Sequence, residues 1–142
     1  MREVLISVGG TLEELNFGEN SMHDYSVIDY LGEAIGAHMP NLRKLDLVRN
    51  PLTGQGVTSL LNTMISSGQN LKLQSLAFTG APLGDEGLAL LLPLITSHFP
   101  SLTHLNLTAC RISVLSLPEV VKWIEKPEML WPRKLLQVEL QY

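Results

Sequence analysis

One short pattern of apolar residues recurs along this chain at a nearly fixed interval. Leu102 to Ile112 reads Leu-Thr-His-Leu-Asn-Leu-Thr-Ala-Cys-Arg-Ile, and Leu42 to Leu52 reads Leu-Arg-Lys-Leu-Asp-Leu-Val-Arg-Asn-Pro-Leu. Leu12 to Met22 and Leu73 to Leu83 fit the same frame, and an incomplete fifth copy opens at Leu135. The starts at 12, 42, 73, 102 and 135 are separated by 30, 31, 29 and 33 residues. A steady period of this length signals stacked supersecondary units, each burying its apolar face only against its neighbours. The length of 142 residues therefore counts repeats rather than the size of one globular core.

Each unit changes periodicity part-way through. Alternate residues such as Leu42, Leu45 and Leu47 point to one face of a short strand, as do Leu12, Leu15 and Phe17, and Leu73, Leu76 and Phe78. The spacing then becomes helical. Ile28, Leu31, Ile35 and Met39 predict a helix over Tyr25 to Met39, with Asp24 or Ser26 as its cap and Pro40 as its stop. Val57, Leu60, Leu61 and Met64 form a stripe at i, i+3, i+4 and i+7, closed by Ser66-Ser67-Gly68, and Leu88, Leu91, Leu92 and Ile95 form the next. Glu3 to Val8 occupy the place where a helix ends before later strands, so the chain is expected to begin inside a longer array or beside another domain. The fourth unit departs from the pattern. Ser116 is its expected N-cap, Pro118 its early helical residue, and a helix to Glu125 should bury Val120, Val121 and Ile124. Pro127 and Pro132 then impose an irregular link carrying Trp131, with Trp123 just before it, ahead of a last strand with Leu135, Val138 and Leu140.

The pattern L-x-x-L-x-L-x-x-N/C-x-L resembles the leucine-rich repeat, and Gly84-Asp85-Glu86-Gly87 resembles the strand-to-helix loop of its ribonuclease inhibitor-like subfamily. That resemblance implies an α/β solenoid, a horseshoe arc with a short parallel β-sheet on its concave face and α-helices on its convex face. It would hold about four complete repeats plus a final strand. The whole of 1–142 then forms one domain, a piece of a longer protein, with 113–142 as an atypical C-terminal capping segment. Related arrays serve as inhibitors, NOD-like sensors and tropomodulin-like actin-capping scaffolds. The GTPase-activating protein of the Ran cycle also has such loops, so a GTPase regulator is the alternative from another class, although that family's long acidic tail is missing here.

Composition restricts the partners. Ten Lys and Arg against 14 Asp and Glu leave a net charge of −4, which argues against nucleic acid or an anionic membrane as the main target. With one cysteine, Cys110, no disulfide can close within the chain, and no apolar run approaches the roughly 20 residues of a membrane span. A soluble, cytoplasmic protein is the expectation.

Between the leucines lie the variable positions, which face outward on the concave side. In an in-register parallel stack, equivalent residues of adjacent repeats lie about 4.8 Å apart. Three columns result: Glu13, Arg43, Gln74, Thr103 and Leu136; Glu14, Lys44, Ser75, His104 and Gln137; and Asn16, Asp46, Ala77, Asn106 and Glu139. Their polar members are the expected protein-binding surface, with Glu13 facing Arg43 and Glu14 facing Lys44 as charge pairs. A second ladder, Asn20, Asn50, Ala81 and Cys110, belongs to the turns. There Asn should bond backbone groups of adjacent turns, Ala81 should leave the weakest step, and Cys110 should be a buried, inert thiol. No catalytic or metal-binding constellation is apparent. His104 has no carboxylate neighbour to orient it, and His23, His38 and His98 lack zinc-ligand spacing. Asp85 and Glu86 fit a helix N-cap and a first-turn acid. The sequon Asn106-Leu107-Thr108 sits in a strand. We therefore expect a non-catalytic interaction domain with no cofactor.

Overall fold

A computed structural model describes residues 7–23, 28–67, 71–125 and 137–140. Five three-residue strands, β1 (Glu14–Asn16), β2 (Lys44–Asp46), β3 (Ser75–Ala77), β4 (His104–Asn106) and β5 (Gln137–Glu139), form one parallel sheet in chain order. Glu14, Lys44, Ser75, His104 and Gln137 are paired across it, as are Leu15, Leu45, Leu76, Leu105 and Val138. The register is that of the sequence frame. The first three steps are held by the same backbone bonds: Arg43 and Lys44 N–H donate to the Glu13 carbonyl, Gln74 and Ser75 to Arg43, and Thr103 and His104 to Gln74.

Helices return the chain from one strand to the next: α1 (Glu33–His38), α2 (Gly54–Ser66), α3 (Gly84–His98) and α4 (Leu117–Ile124). The stripes on α2 and α3 are buried together with the strand leucines in a continuous core that includes Phe78 and Phe99. This is the leucine-rich repeat solenoid, and the fold class expected from the sequence holds. In α3, Pro93 sits on the exposed side, where a carbonyl deprived of its helical partner can turn to water.

The structure corrects two helix expectations. The continuous helix over Tyr25 to Met39 is replaced by a π-helical stretch, Ile28–Gly32, leading into α1 at Glu33, while its expected caps lie outside the described residues. Gly32 and Gly36 are the reason that segment lies so close to α2. A Cβ at Gly32 would come within 2.9 Å of Thr63, and one at Gly36 within 2.5 Å of the Met64 carbonyl. Two glycines in so short a helix also weaken its regular hydrogen bonding. In the fourth unit, a 3₁₀ turn at Val114–Ser116 precedes α4, and the turn is capped by Ser113, whose hydroxyl accepts from Leu115 N–H at 3.2 Å. Val120 and Trp123 are buried, but Val121 is 49% exposed, contrary to the stripe. Helical spacing identifies an apolar side; it does not supply the neighbour that covers it.

The turns after β1 to β4 each hold a left-handed residue at the same place, Glu19 (φ 59°), Arg49 (55°), Gly80 (79°) and Ala109 (56°), and those after β1 and β4 hold a second, Ser21 (48°) and Arg111 (58°). Only Gly80 adopts that conformation without a steric cost.

Candidate functional site

The outward columns form as the register requires. Glu13, Glu14, Arg43, Lys44, Gln74 and His104 are exposed and Ser75 and Thr103 half-buried, all on the side of the sheet opposite the buried leucines; the Gln137 and Glu139 side chains are not among those described. Lys44 Nζ lies 3.9 Å from Glu14 Oε2, whereas Glu13 and Arg43 form no ion pair, so one of the two expected charge pairs is absent. An exposed pair of this kind contributes at most about 1 kcal/mol. A pair that the outward columns did not include joins the neighbouring turns, with Arg49 Nη1 2.6 Å from Glu19 Oε1.

Thr103 and His104 are coupled. The Thr103 hydroxyl donates to the Gln74 carbonyl at 3.1 Å and lies 2.9 Å from His104 Nδ1. With the hydroxyl's single proton committed to Gln74, the contact requires an N–H on His104 Nδ1. Among the described residues no group of His, Cys, Asp or Glu could hold a metal ion.

The third column is largely occupied by the fold itself. Asn16 Oδ1 accepts from Gly18 N–H at 2.8 Å, Asp46 Oδ1 from Val48 N–H at 3.0 Å, and Asn106 Oδ1 from Thr108 N–H at 2.9 Å. Each closes an Asx turn where its strand ends. Ala77 cannot, and at that repeat Thr79 Oγ1 instead donates across to Asn106 Oδ1 at 2.9 Å. The surface free to meet a partner is therefore mainly the first two columns.

Beneath it, the turn ladder is uneven. Asn50 is buried; its Nδ2 donates to the Phe17 and Leu47 carbonyls at 2.8 and 3.1 Å, and its Oδ1 accepts from Met22 N–H at 3.0 Å. Asn20 does not reach another turn: it is exposed and bonds only the Gly18 carbonyl of its own. Ala81 leaves a step without side-chain bonds, and Cys110 Sγ donates to the Phe78 carbonyl at 3.1 Å. Burial pushes the Cys110 thiol up to about 11. At pH 8 the thiolate is then on the order of one part in a thousand. An aromatic disulfide reagent should label the native protein far more slowly than the unfolded one; equal rates would show the thiol to be accessible.

Asp85 is the main residue that sequence reasoning placed wrongly. It does not cap its own helix; it lies in the first turn of α3 and reaches the next repeat. Oδ1 accepts from Ser113 N–H at 2.8 Å and from the Ser116 hydroxyl at 2.6 Å, and Oδ2 from the Ser113 hydroxyl at 2.7 Å. Ser116 thus spends its hydroxyl on Asp85 rather than capping α4. The hydroxyls of Ser116 and Ser113, then the Ser113 N–H, hold the carboxyl below its usual value. Because the folded state favours the ionised form, the stability this contact provides is complete above about pH 3.9, the unfolded value, and is lost as pH falls below it. Asp85→Asn should lower Tm at pH 7 and differ little from the parent at pH 2. A Tm difference independent of pH would contradict this.

With this architecture in place, the chain carries leucine-rich repeats in their solenoid fold. The family model described as "Leucine Rich repeat" matches residues 38–61 and 69–92. A Tonsoku-like protein from Danio rerio is 30% identical over 116 residues, which cover 80% of this chain and 8% of that protein. The chain thus corresponds to a small part of that relative's length. Among solved structures, Leiomodin-1 Actin-Binding Site 2 (ABS2) superposes with a TM-score of 0.72 over 99% of this chain and 76% of that one, at 11% identity.

Proposed function

We propose that this chain is a non-catalytic, cytoplasmic protein-interaction module of the ribonuclease inhibitor-like kind, which binds a protein partner across its concave face. The observation that carries this reading is the in-register array of Glu13, Glu14, Arg43, Lys44, Gln74 and His104, exposed on strands whose backbone is already bonded. A rigid sheet presents these groups at fixed spacing, so little conformational freedom is lost on binding. Affinity capture from a cell extract, with the parent chain and with Arg43→Glu/Lys44→Glu as parallel baits, tests it. The double reversal should lose the captured protein while keeping the parent Tm; equal recovery on both baits would sink the concave-face reading.

The likeness to the leiomodin actin-binding segment favours one more specific reading, a cytoskeletal module whose partner is actin. Co-sedimentation with actin filaments, and gel filtration with monomeric actin, separate this from the general proposal.

A further inference from the structure

Charge is sorted along this chain between the sheet side of repeats two to four and everything else. The strand-and-turn segments of those repeats, 41–53, 71–83 and 101–113, carry Arg43, Lys44, Arg49, Lys72 and Arg111, half of the chain's ten cations, and a single acid, Asp46. With histidine neutral, five cations against one acid leave +4 there, inside a chain whose net charge is −4. The equivalent segment of the first repeat, 11–23, is the reverse, with Glu13, Glu14 and Glu19 and neither Lys nor Arg. The central helices do not share the pattern: α2 has no charged residue, and α3 has Asp85 and Glu86.

Part of this positive charge is already answered within the fold. Lys44 lies 3.9 Å from Glu14 and Arg49 2.6 Å from Glu19, and both acids belong to the first repeat. Arg43, Lys72 and Arg111 are exposed and form no ion pair among the described residues. Arg43 and Gln74 immediately precede the paired Lys44 and Ser75 on the outward face. Lys72 stands where the chain enters β3, and Arg111 in the turn that leaves β4. Asp46, the one acid of the region, is half-buried and has an oxygen bonded to Val48 N–H.

Building on the concave-face reading above, we infer that the partner crosses repeats two to four with an acidic protein segment. Its carboxylates meet Arg43 on the sheet and Lys72 and Arg111 at the margins, while the Gln74 amide supplies an uncharged donor between them. Strands about 4.8 Å apart place β2 and β4 within the reach of about three residues of extended chain. Glu13 and Glu14 repel the same carboxylates, so the site ends at β1 and the segment has one favoured placement. A nucleic acid is also an anion, but the outward columns hold no Phe, Tyr or Trp on which bases could stack, and the net charge of −4 opposes a long polyanion.

Fluorescence anisotropy tests the inference, using labelled octapeptides of alternating Glu-Gly, Gln-Gly or Lys-Gly titrated with the intact chain from micromolar to millimolar concentration. The Glu-Gly peptide should bind saturably, and more weakly as salt is raised, whereas the other two should not bind. Arg43→Gln/Lys72→Gln should weaken that binding by about fivefold or more. Glu13→Gln/Glu14→Gln should tighten it, and Lys122→Gln on α4 should leave it unchanged. No saturable binding of the Glu-Gly peptide, or a preference for Lys-Gly, overturns the acidic occupant. The concave-face reading survives that result if the Arg43→Glu/Lys44→Glu bait still loses its captured protein. Glu-Gly binding that is insensitive to Arg43→Gln/Lys72→Gln also overturns the inference, as does tighter binding of a single-stranded dT oligonucleotide of matched charge, which would assign the face to a nucleic acid.

Discussion

Gly54→Ala should destabilise the protein by about 1–3 kcal/mol, although the substitution adds a single methyl group at the start of a helix. The new Cβ would overlap Gly87 Cα, a backbone atom that cannot swing aside. Alanine ordinarily strengthens a helix relative to glycine, by about 1 kcal/mol in the interior. Steric overlap reverses the sign here, because relieving it means pushing α2 and α3 apart along a packed interface. Thermal unfolding with circular dichroism reads the effect directly. A variant as stable as the parent would mean that the repeats are not held at this distance.

Asn50→Ala should cost at least as much, and for a different reason. The substitution removes an amide that is 1% exposed and leaves Met22 N–H and the Phe17 carbonyl without the partner that joins them to the second repeat. A buried polar group left unsatisfied costs about 1–3 kcal/mol, and the Leu47 carbonyl loses its bond from Asn50 as well. The damage should be local: hydrogen exchange in the turn between Phe17 and Met22 should accelerate more than that in β4. Uniform acceleration across the sheet would indicate that Asn50 supports global stability rather than the junction of the first two repeats. Asn20→Ala is the matched control, since Asn20 is exposed and bonds only its own turn.

The contrast between Asn20 and Asn50 shows how far the sequence could be read. A period near 30 residues defines which residues are equivalent, and from that the strands, their order and their register follow. Val121 and Leu92 are also equivalent, yet one is exposed and the other buried. The difference depends on what stacks next to them, which no single repeat records. The same limit applied to Asp85. Its identity fits a helix N-cap, but its partners lie 28 and 31 residues away, and only the three-dimensional stack brings Ser113 and Ser116 to its carboxylate. A trace was present in the alignment of the two loops, where Asp85 replaces Gly54 at a position that in both cases meets the following repeat.

For the binding surface, the columns were legible and the availability of their members was not. Asn16, Asp46 and Asn106 fall in the outward column as expected, but each has an oxygen committed to its own turn. Short polar side chains at strand ends compete for local backbone donors, so alternation alone overstates how many are free for a partner. Arg43 and Lys44 have no such side-chain commitment to the backbone, and their place in the first two columns makes them the informative pair to reverse.

The most direct measurement of that central claim is a calorimetric titration of the captured partner into three proteins: the parent, Arg43→Glu/Lys44→Glu on the concave face, and Glu119→Lys/Lys122→Glu on α4. The α4 pair is exposed and joined at 3.2 Å, so swapping its charges preserves net charge and leaves the sheet untouched. Binding across the concave face predicts at least a tenfold weaker Kd for the first variant and an unchanged Kd for the second. The opposite pattern, with the α4 swap weakening binding and the concave reversal leaving it intact, would contradict the account.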